Sequence, residues 1–382
     1  MGQIAMSHLD ALNTPSAIVD LGRMRRNIER MQARMNALGV RFRPHVKTTK
    51  CLEIARAQVE AGASGITVST LKEAEQFFAA GFRDILYAVG IVPGKLAQAL
   101  ALRNAGCDLK LITDNADIAA AIGRFGQEHE HRFEVWLEID TDGHRSGIVP
   151  DADALLLAAR ALVEGGCVLG GVMTHAGSSY ELHTPEALEA MAEQERAGCV
   201  RAAERLRAAG YECPVVSVGS TPTALSARAL PGVTEVRAGV YVFFDLVMAN
   251  VGVCAPQDIA LSVLTTVIGH QPEKGWAIVD AGWMAMSRDR GTQRQAHDYG
   301  YGQVCGADGQ VLEDYVLSGA NQEHGIVSLG SGVDADIVQR FPVGSQLRVL
   351  PNHACATGAQ FPEYQAISAD GSVRTWPRFY GW

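Results

Sequence analysis

Short apolar runs alternate with longer amphipathic segments over residues 40–245. The short runs are rich in β-branched and aromatic residues, whereas the longer segments repeat their apolar residues at the three-to-four spacing of a helix. Several helical segments end in glycine, which tolerates the left-handed conformation found at helix C-termini. The pattern predicts eight strands, at residues 41–47, 65–69, 85–89, 109–113, 133–140, 170–175, 215–220 and 234–241.

An eightfold alternation of strand and helix is typical of a parallel (β/α)8 barrel, the TIM-barrel architecture. The alternative is an open, doubly wound sheet. That alternative is less favoured because the first strand is not followed by the GxGxxG turn that many such sheets carry. We therefore expect an α/β fold with a barrel domain over residues 20–255.

After residue 255 the sequence consists of strand-like runs separated by turn-forming residues such as Ala-Asp-Gly, without the intervening helical segments. This pattern is typical of antiparallel pairing. We expect a C-terminal antiparallel β domain over residues 256–382, and residues 1–19 are candidates to add a strand to it.

Composition excludes several classes of function. The net charge of -9 and the lack of a dense basic run disfavour nucleic acid or an anionic membrane as partner, since both attract clustered Lys and Arg. No segment approaches the roughly 20 apolar residues of a membrane span, and the N-terminus has no signal-peptide pattern. The eight cysteines form no CxxC pair. We expect a cytoplasmic protein with reduced cysteines.

Reactive side chains follow several predicted strands, at the end of a barrel where active sites form. Lys47 ends the first strand, Arg145 follows the fifth and His175 follows the sixth. A lysine in a partly desolvated site can be a Schiff-base amine, although an exposed lysine at a strand end is the alternative. For Arg145, the alternative is a salt bridge to Asp140 or Asp142.

The segment Gly219–Thr223 joins the seventh predicted strand to a helix. Its small residues would let N–H and hydroxyl groups approach a phosphate, which barrels often bind near this place. The alternative is an ordinary helix N-cap, with Ser220 or Thr221 capping and Pro222 at the first helical position. A capping turn can also hold an anion, so the two interpretations are compatible. A lysine and a phosphate turn in one barrel mouth suit pyridoxal 5'-phosphate.

His353 and Cys355 lie two residues apart in a strand pattern, so both side chains would project from one face. Imidazole and thiolate together suit zinc, and two protein ligands leave positions open for water and substrate. The alternative is a buried cysteine beside a hydrogen-bonded histidine.

Six segments together resemble one enzyme family: RPHVKTTK, EIDTDGHRSG, THAGSSY, SVGSTPT, RAGVYVFFD and PNHACATG. Over nearly its whole length the chain resembles the D-serine dehydratase group of the fold-type III pyridoxal-phosphate enzymes, whose relatives include the D-threonine aldolases and alanine racemase. The resemblance implies an alanine racemase-like architecture. It also implies a homodimer in which the β domain of one subunit closes the barrel mouth of the other.

The resemblance also implies roles for individual residues. Lys47 would be the Schiff-base lysine, and Arg145 would face the pyridine nitrogen. His353 and Cys355 would bind a divalent metal, which could be zinc, manganese, cobalt or magnesium. The segments that would hold the cofactor contain Lys47, Arg145, His175, Tyr180, Gly219, Ser220, Thr221, Gly239, Val240 and Tyr241.

The implied reaction is the dehydration of a 3-hydroxy D-amino acid, an ammonia-lyase reaction. D-threo-3-hydroxyaspartate would give oxaloacetate and ammonia, and D-serine would give pyruvate and ammonia. Aldol cleavage and noncatalytic pyridoxal-phosphate binding are the alternatives. Related aldolases carry His-x-Asp at the metal, so Cys355 favours dehydration, and noncatalytic carriers lack the C-terminal β domain. Arg288 and Arg290 are candidates to bind a β-carboxylate by composition alone, and solvated surface groups are the alternative.

Overall fold

The structure is a computed structural model that describes residues 8–382. Its strands are β1 (Ser16–Asp20), β2 (Arg41–Pro44), β3 (Ile66–Val68), β4 (Asp84–Gly90), β5 (Asp108–Thr113), β6 (Glu134–Ile139), β7 (Val168–Thr174), β8 (Val215–Val218), β9 (Glu235–Ala238), β10 (Leu261–Gln271), β11 (Trp276–Val279), β12 (Gly302–Gly306), β13 (Val311–Ala320), β14 (Gly325–Leu329), β15 (Gln346–Pro351), β16 (Glu363–Ile367) and β17 (Val373–Pro377). Its helices are α1 (Leu21–Ala37), α2 (Leu52–Glu60), α3 (Leu71–Ala79), α4 (Leu96–Asn104), α5 (Ala116–Glu128), α6 (Ala154–Glu164), α7 (Pro185–Ala208), α8 (Thr221–Ser226), α9 (Leu246–Val251), α10 (Trp283–Met286), α11 (Ile337–Arg340) and α12 (Ala354–Gly358).

Strands β2 to β9 form one parallel eight-stranded sheet in the order β2-β9-β8-β7-β6-β5-β4-β3. A parallel bridge between His45 and Thr67 brings the β2 side next to β3, so the sheet closes on itself. The prediction of a (β/α)8 barrel is confirmed, and each of the eight predicted strands is present. The first strand is shorter than expected: β2 ends at Pro44, and Lys47 lies in the 3-10 turn Val46–Thr48 that follows.

Large apolar side chains fill the barrel. Leu86, Ile112, Trp136 and Met173, from the consecutive strands β4 to β7, form a buried cluster. Strands buried on both faces read as nearly continuous apolar runs, which is why the sequence pattern located them. The indole N–H of Trp136 donates to Glu134 at 2.9 Å, so the one polar atom of this side chain is satisfied.

Charged side chains also form contacts between the strands of the barrel. Arg43 on β2 donates to Glu235 on β9 at 2.9 Å and to Asp84 on β4 at 2.8 Å. Asp84 accepts a further bond from Lys110 on β5 at 2.5 Å. Burial lowers the pKa of Arg43, but the two carboxylates outweigh burial and raise this pKa above its usual value. These contacts join four strands of the barrel.

The remaining strands form a nine-stranded sheet in the order β11-β14-β13-β12-β15-β10-β1-β16-β17. Most neighbours are antiparallel, whereas β1 pairs antiparallel with β10 and parallel with β16. The N-terminal strand β1 therefore lies inside this β sheet. In the described part of the chain, no helix combines the length and apolar character that a membrane crossing requires.

The structure divides into two compact units. The β unit contains the described residues up to Ile28 together with Val240–Arg378, and the barrel unit contains Glu29–Gly239 and Phe379–Trp382. The sequence analysis placed this boundary at residue 255. Residues 240–255 belong instead to the β unit because their polar groups are bonded there: Ala260 N–H donates to the carbonyl of Phe243 at 2.7 Å.

Candidate active site

Lys47 lies on the turn that follows β2, at the C-terminal end of the strand. The N–H of His45 donates to the carbonyl of Ala238 at 2.8 Å, which continues the pairing with β9 into the turn. Val46 and Thr48 are buried on either side, whereas the Lys47 side chain is exposed. The turn is therefore anchored through its neighbours and leaves the amine accessible.

Further contacts fix this turn from its C-terminal side. Lys50 has a φ of 45°, in the left-handed region that non-glycine residues rarely adopt. Its Nζ lies 3.0 Å from the buried Glu73, and its carbonyl accepts the N–H of Phe379 at 2.7 Å. The Phe379 ring in turn packs edge-to-face on Phe77, with ring centres 5.1 Å apart. Lys50 is thus held at its side chain by Glu73 and at its carbonyl by Phe379.

Two glycines at neighbouring strand ends allow the adjacent backbone segments to pack closely against them. A Cβ at Gly239, directly after β9, would lie 3.1 Å from both the His45 carbonyl and the Thr48 hydroxyl. Gly219, directly after β8, has a φ of 131°, and a Cβ there would clash with the Arg237 carbonyl. Neither position accepts a larger residue without displacing the backbone around it.

Ser220 is the N-cap of α8. Its hydroxyl accepts the N–H of Thr223 at 3.2 Å, and its own N–H donates to the Thr223 hydroxyl at 3.0 Å, which completes a capping box. The Ser220 hydroxyl also lies 2.8 Å from that of Ser179. The N-cap interpretation is confirmed for Ser220, but Pro222 is the second helical residue and not the first. Phosphate binding by this turn stays a prediction.

His175 directly follows β7, and its Nδ1 lies 3.1 Å from the carbonyl of Gly219. Burial lowers its pKa to about 3, assisted by nearby cations such as Lys47 and Arg237 and opposed by the bond to Gly219. The imidazole is therefore neutral near pH 7. The ring of Tyr180 lies 6.0 Å away, tilted by 49°.

Arg145 does not pair with either of the aspartates considered in the sequence analysis. Its guanidinium lies 3.7 Å from Glu138, and its side chain is 57% exposed. Asp140 and Asp142 accept backbone N–H groups instead. Burial raises the pKa of Glu138, whereas the charge of Arg145 lowers it.

The structure brings most of the predicted cofactor residues to one end of the barrel. Lys47, His175, Gly219 and Gly239 lie at the C-terminal ends of β2, β7, β8 and β9, which are consecutive in the sheet. Arg145 follows the next strand, β6. The buried pair 240–241 directly follows Gly239 in the chain and is part of the β unit.

His353 and Cys355 do not lie in a strand. The sequence analysis placed them in one, but β15 ends at Pro351, His353 is the N-cap of α12 and Cys355 lies in its first turn. The buried carboxylate of Asp245 accepts the N–H of Ala354 at 2.9 Å, which satisfies the start of the helix. The side chains of His353 and Cys355 are nonetheless hydrogen-bonded to each other.

Asp289, which the sequence analysis passed over, fixes the imidazole of His353. Its carboxylate lies 2.6 Å from Nδ1. Burial lowers the pKa of His353, but the bonds to Asp289 and Cys355 outweigh burial and raise it to about 11. With Nδ1 engaged, Nε2 is the remaining ring nitrogen. Within residues 8–382, no group of three or more His, Cys, Asp and Glu side chains forms a ready metal site.

Glu195 is a second residue that the sequence analysis missed. This buried carboxylate on α7 accepts the N–H of Ala176 at 2.9 Å and that of Gly219 at 3.1 Å, both through Oε1. It therefore connects the loop after β7 with the turn after β8. The available signal was its place on a helix face otherwise formed by residues such as Leu188 and Cys199, where a charged side chain needs partners.

Comparison with known proteins gives consistent matches. Residues 19–247 match the family model "Alanine racemase, N-terminal domain", and residues 260–367 match "Putative serine dehydratase domain". The chain is 70% identical to D-threo-3-hydroxyaspartate dehydratase of Delftia sp. (strain HT23), over 97% of this chain and 98% of that protein. It is 32% identical to D-serine dehydratase of Dictyostelium discoideum, over 96% of each. A solved structure of a D-threo-3-hydroxyaspartate dehydratase, a cysteine-to-alanine variant in the metal-free form, gives a TM-score of 0.97 at 69% identity, covering 98% of this chain and 99% of that one.

Replacing Glu195 by alanine should lower the free energy of unfolding by about 2–4 kcal/mol, because two buried N–H groups lose their acceptor. Glu195→Gln keeps an acceptor oxygen and should cost less than about 1 kcal/mol. Urea denaturation of the purified variants measures both. Cys199→Ala, which removes buried volume from the same helix without touching either loop, is the control. Equal losses in the alanine and glutamine variants would contradict the role of these bonds.

Proposed function

Because the chain belongs to the family of the alanine racemase N-terminal domain, followed by a serine dehydratase domain, we propose that it is a dehydratase of 3-hydroxy D-amino acids that depends on pyridoxal 5'-phosphate and a divalent metal. Its substrate is D-threo-3-hydroxyaspartate, converted to oxaloacetate and ammonia, and D-serine is the secondary substrate. The observation that carries the proposal is the similarity to D-threo-3-hydroxyaspartate dehydratase through both domains and nearly the full length of each chain.

The donor set of the barrel mouth fits pyridoxal phosphate. An amine, a neutral imidazole and a turn of glycine and hydroxyl residues lie at adjacent strand ends. Two buried polar atoms beside the lysine turn, His45 Nδ1 and Thr67 Oγ1, have no hydrogen-bond partner within the described chain. When bound, the cofactor supplies an aldehyde for condensation with amines and a conjugated ring that accepts electrons from the α-carbon. The residues proposed to hold it are Lys47, Arg145, His175, Tyr180, Gly219, Ser220, Thr221, Gly239, Val240 and Tyr241.

The pair His353 and Cys355 fits a divalent metal. Imidazole and thiolate are borderline and soft donors, which favour zinc over magnesium, and cobalt and manganese are the other candidates. The bond from Asp289 to Nδ1 is the outer contact that commonly orients a metal-binding histidine. When bound, the metal supplies a Lewis acid.

Individual residues of the chain have separate roles in the proposed dehydration. The amine of Lys47 removes the α-proton and carries it as a general base. Arg145, a permanent cation, would disfavour a protonated pyridine nitrogen in a bound cofactor, and His353 and Cys355 would hold the metal that assists loss of the β-hydroxyl. The β-hydroxyl leaves as water with the proton that Lys47 removed from the α-carbon. Hydrolysis of the enamine product then takes up one water and releases ammonia with the 2-oxo acid.

Protein supplied with pyridoxal phosphate and zinc should form oxaloacetate and ammonia from D-threo-3-hydroxyaspartate, with pyruvate from D-serine. Lys47→Ala should lower kcat by about 10²–10⁴-fold, because the general base is removed. Coupled assays of ammonia and 2-oxo acid measure this, with Lys274→Ala, at an exposed lysine, as the control. Glycine with glyoxylate as products would favour an aldolase, and cofactor binding without turnover would favour a carrier.

Asp289→Asn should weaken zinc binding by about 10–100-fold, because the orienting carboxylate of His353 is lost. Competition with a chelator of known zinc affinity measures the change. Glu313→Gln neutralises an exposed carboxylate elsewhere in the β unit, and it should leave zinc affinity unchanged. Equal zinc affinities in the wild type and Asp289→Asn would rule out the orienting role.

A homodimer with shared sites is part of the proposal, with Lys47 from one subunit acting beside Cys355 from the other. Lys47→Ala and Cys355→Ala subunits are each inactive, but a hybrid of the two contains one site with both residues intact. Hybrids isolated through two different affinity tags should recover about half of the wild-type kcat, as expected for two equivalent sites in a symmetric dimer. An inactive hybrid that is dimeric by light scattering would contradict sharing.

A further inference from the structure

The substrate's chemistry restricts where its second carboxylate can be recognised. In 3-hydroxyaspartate the β-hydroxyl and the β-carboxylate are attached to the same carbon. A cation that binds the carboxylate must therefore lie beside the groups that receive the hydroxyl, His353 and Cys355. The arginines that flank the partner of His353 are Arg288 and Arg290, one on each side of Asp289.

Arg290 is already engaged. Its Nη2 donates to both oxygens of Asp298, at 3.1 and 2.8 Å, so its charge is neutralised within the loop. The guanidinium also lies over the ring of Tyr301, 5.2 Å from its centre. Its Nε is buried, out of reach of a substrate. Arg290 is therefore a structural residue of this loop.

Arg288, unlike Arg290, is not paired with a carboxylate of its own loop. Its side chain is exposed, and within residues 8–382 no carboxylate lies at ion-pair distance from it. The guanidinium carbon lies 4.2 Å from the ring centre of Trp283, which holds the cation without neutralising it. A charge fixed in this way loses little side-chain freedom when a ligand binds.

The tryptophan beneath Arg288 is tied to the helix that carries Cys355. Trp283 is the first residue of α10, and its N–H donates to the carbonyl of Asn321 at 2.9 Å. At the other end of α10, the Met286 carbonyl accepts the hydroxyl of Thr357, on α12, at 2.8 Å. Arg288 thus belongs to the same bonded assembly as His353 and Cys355 within the β unit.

On the basis of the proposed function, we propose that Arg288 binds the β-carboxylate of the substrate and sets the preference for 3-hydroxyaspartate over D-serine. A guanidinium offers two parallel N–H donors to a carboxylate, a geometry that a lysine cannot reproduce. D-serine has a hydrogen in place of the carboxylate, so it gains nothing from Arg288 and loses nothing without it.

The first test compares kcat/KM of the holoenzyme for the two substrates. Arg288→Gln should lower kcat/KM for D-threo-3-hydroxyaspartate by roughly 100-fold, because a charge-assisted pair is lost, and leave the value for D-serine within about threefold. Arg288→Lys should fall between the wild type and Arg288→Gln. Arg294→Gln, at an exposed arginine of the same loop, should change neither value.

A binding measurement tests the same contact without turnover. Malate and 3-hydroxypropanoate lack the amino group, and they differ only by a carboxylate on the hydroxyl-bearing carbon. Calorimetry should show tighter binding of malate to the wild-type holoenzyme and no such advantage in Arg288→Gln. An active wild type whose substrate and ligand preferences survive in Arg288→Gln would overturn this inference alone. A wild type without dehydratase activity would overturn the proposed function and the inference with it.

Discussion

The buried guanidinium of Arg43 is the interaction on which the barrel depends. It donates to the carboxylates of Glu235 and Asp84, whose strands are far apart in the sequence. Removing one carboxylate would leave the buried cation with a single counter-charge, and breaking a buried ion pair in this way costs about 3–5 kcal/mol in other proteins. The pairing therefore specifies the register of three strands more strictly than apolar packing alone would, because only one arrangement satisfies all of the charges.

The same bonds extend towards the active end of the barrel. Glu235 accepts the hydroxyl of Ser217 at 2.8 Å, and Ser217 accepts a bond from Arg237 at 2.7 Å. Arg237 then donates to the carbonyl of Thr174 at 2.5 Å, the residue just before the histidine of the site. From the helical side, Glu195 holds the loops after β7 and β8. The strand ends that carry the proposed cofactor residues are thus held from within the barrel by Arg237 and from the helical side by Glu195.

The sequence alone predicted the barrel because buried parallel strands appear as apolar runs, and it located Lys47 and His175 after strands because they stand where such runs end. The place of Glu195 on an apolar helix face indicated that it needs partners, but the sequence could not identify them, since they are backbone N–H groups. The sequence did not indicate Asp289 either, because its partner, His353, is 64 positions away in the chain. The strand predicted through Cys355 failed because the tertiary bond from Asp245 starts a helix there, and tertiary contacts override local propensity.

The position of β1 has a consequence for the order in which the protein can fold. Residues 16–20 pair with residues 261–264 and with residues 365–367, whereas all barrel strands lie within residues 41–238. During synthesis the barrel can assemble while β1, with its apolar Ile18 and Val19, still lacks both neighbours. An unpaired apolar strand is a template for association with other chains. Completion of the β unit is thus a slow, nonlocal closing step, and the nascent chain is most vulnerable to aggregation in the interval before it.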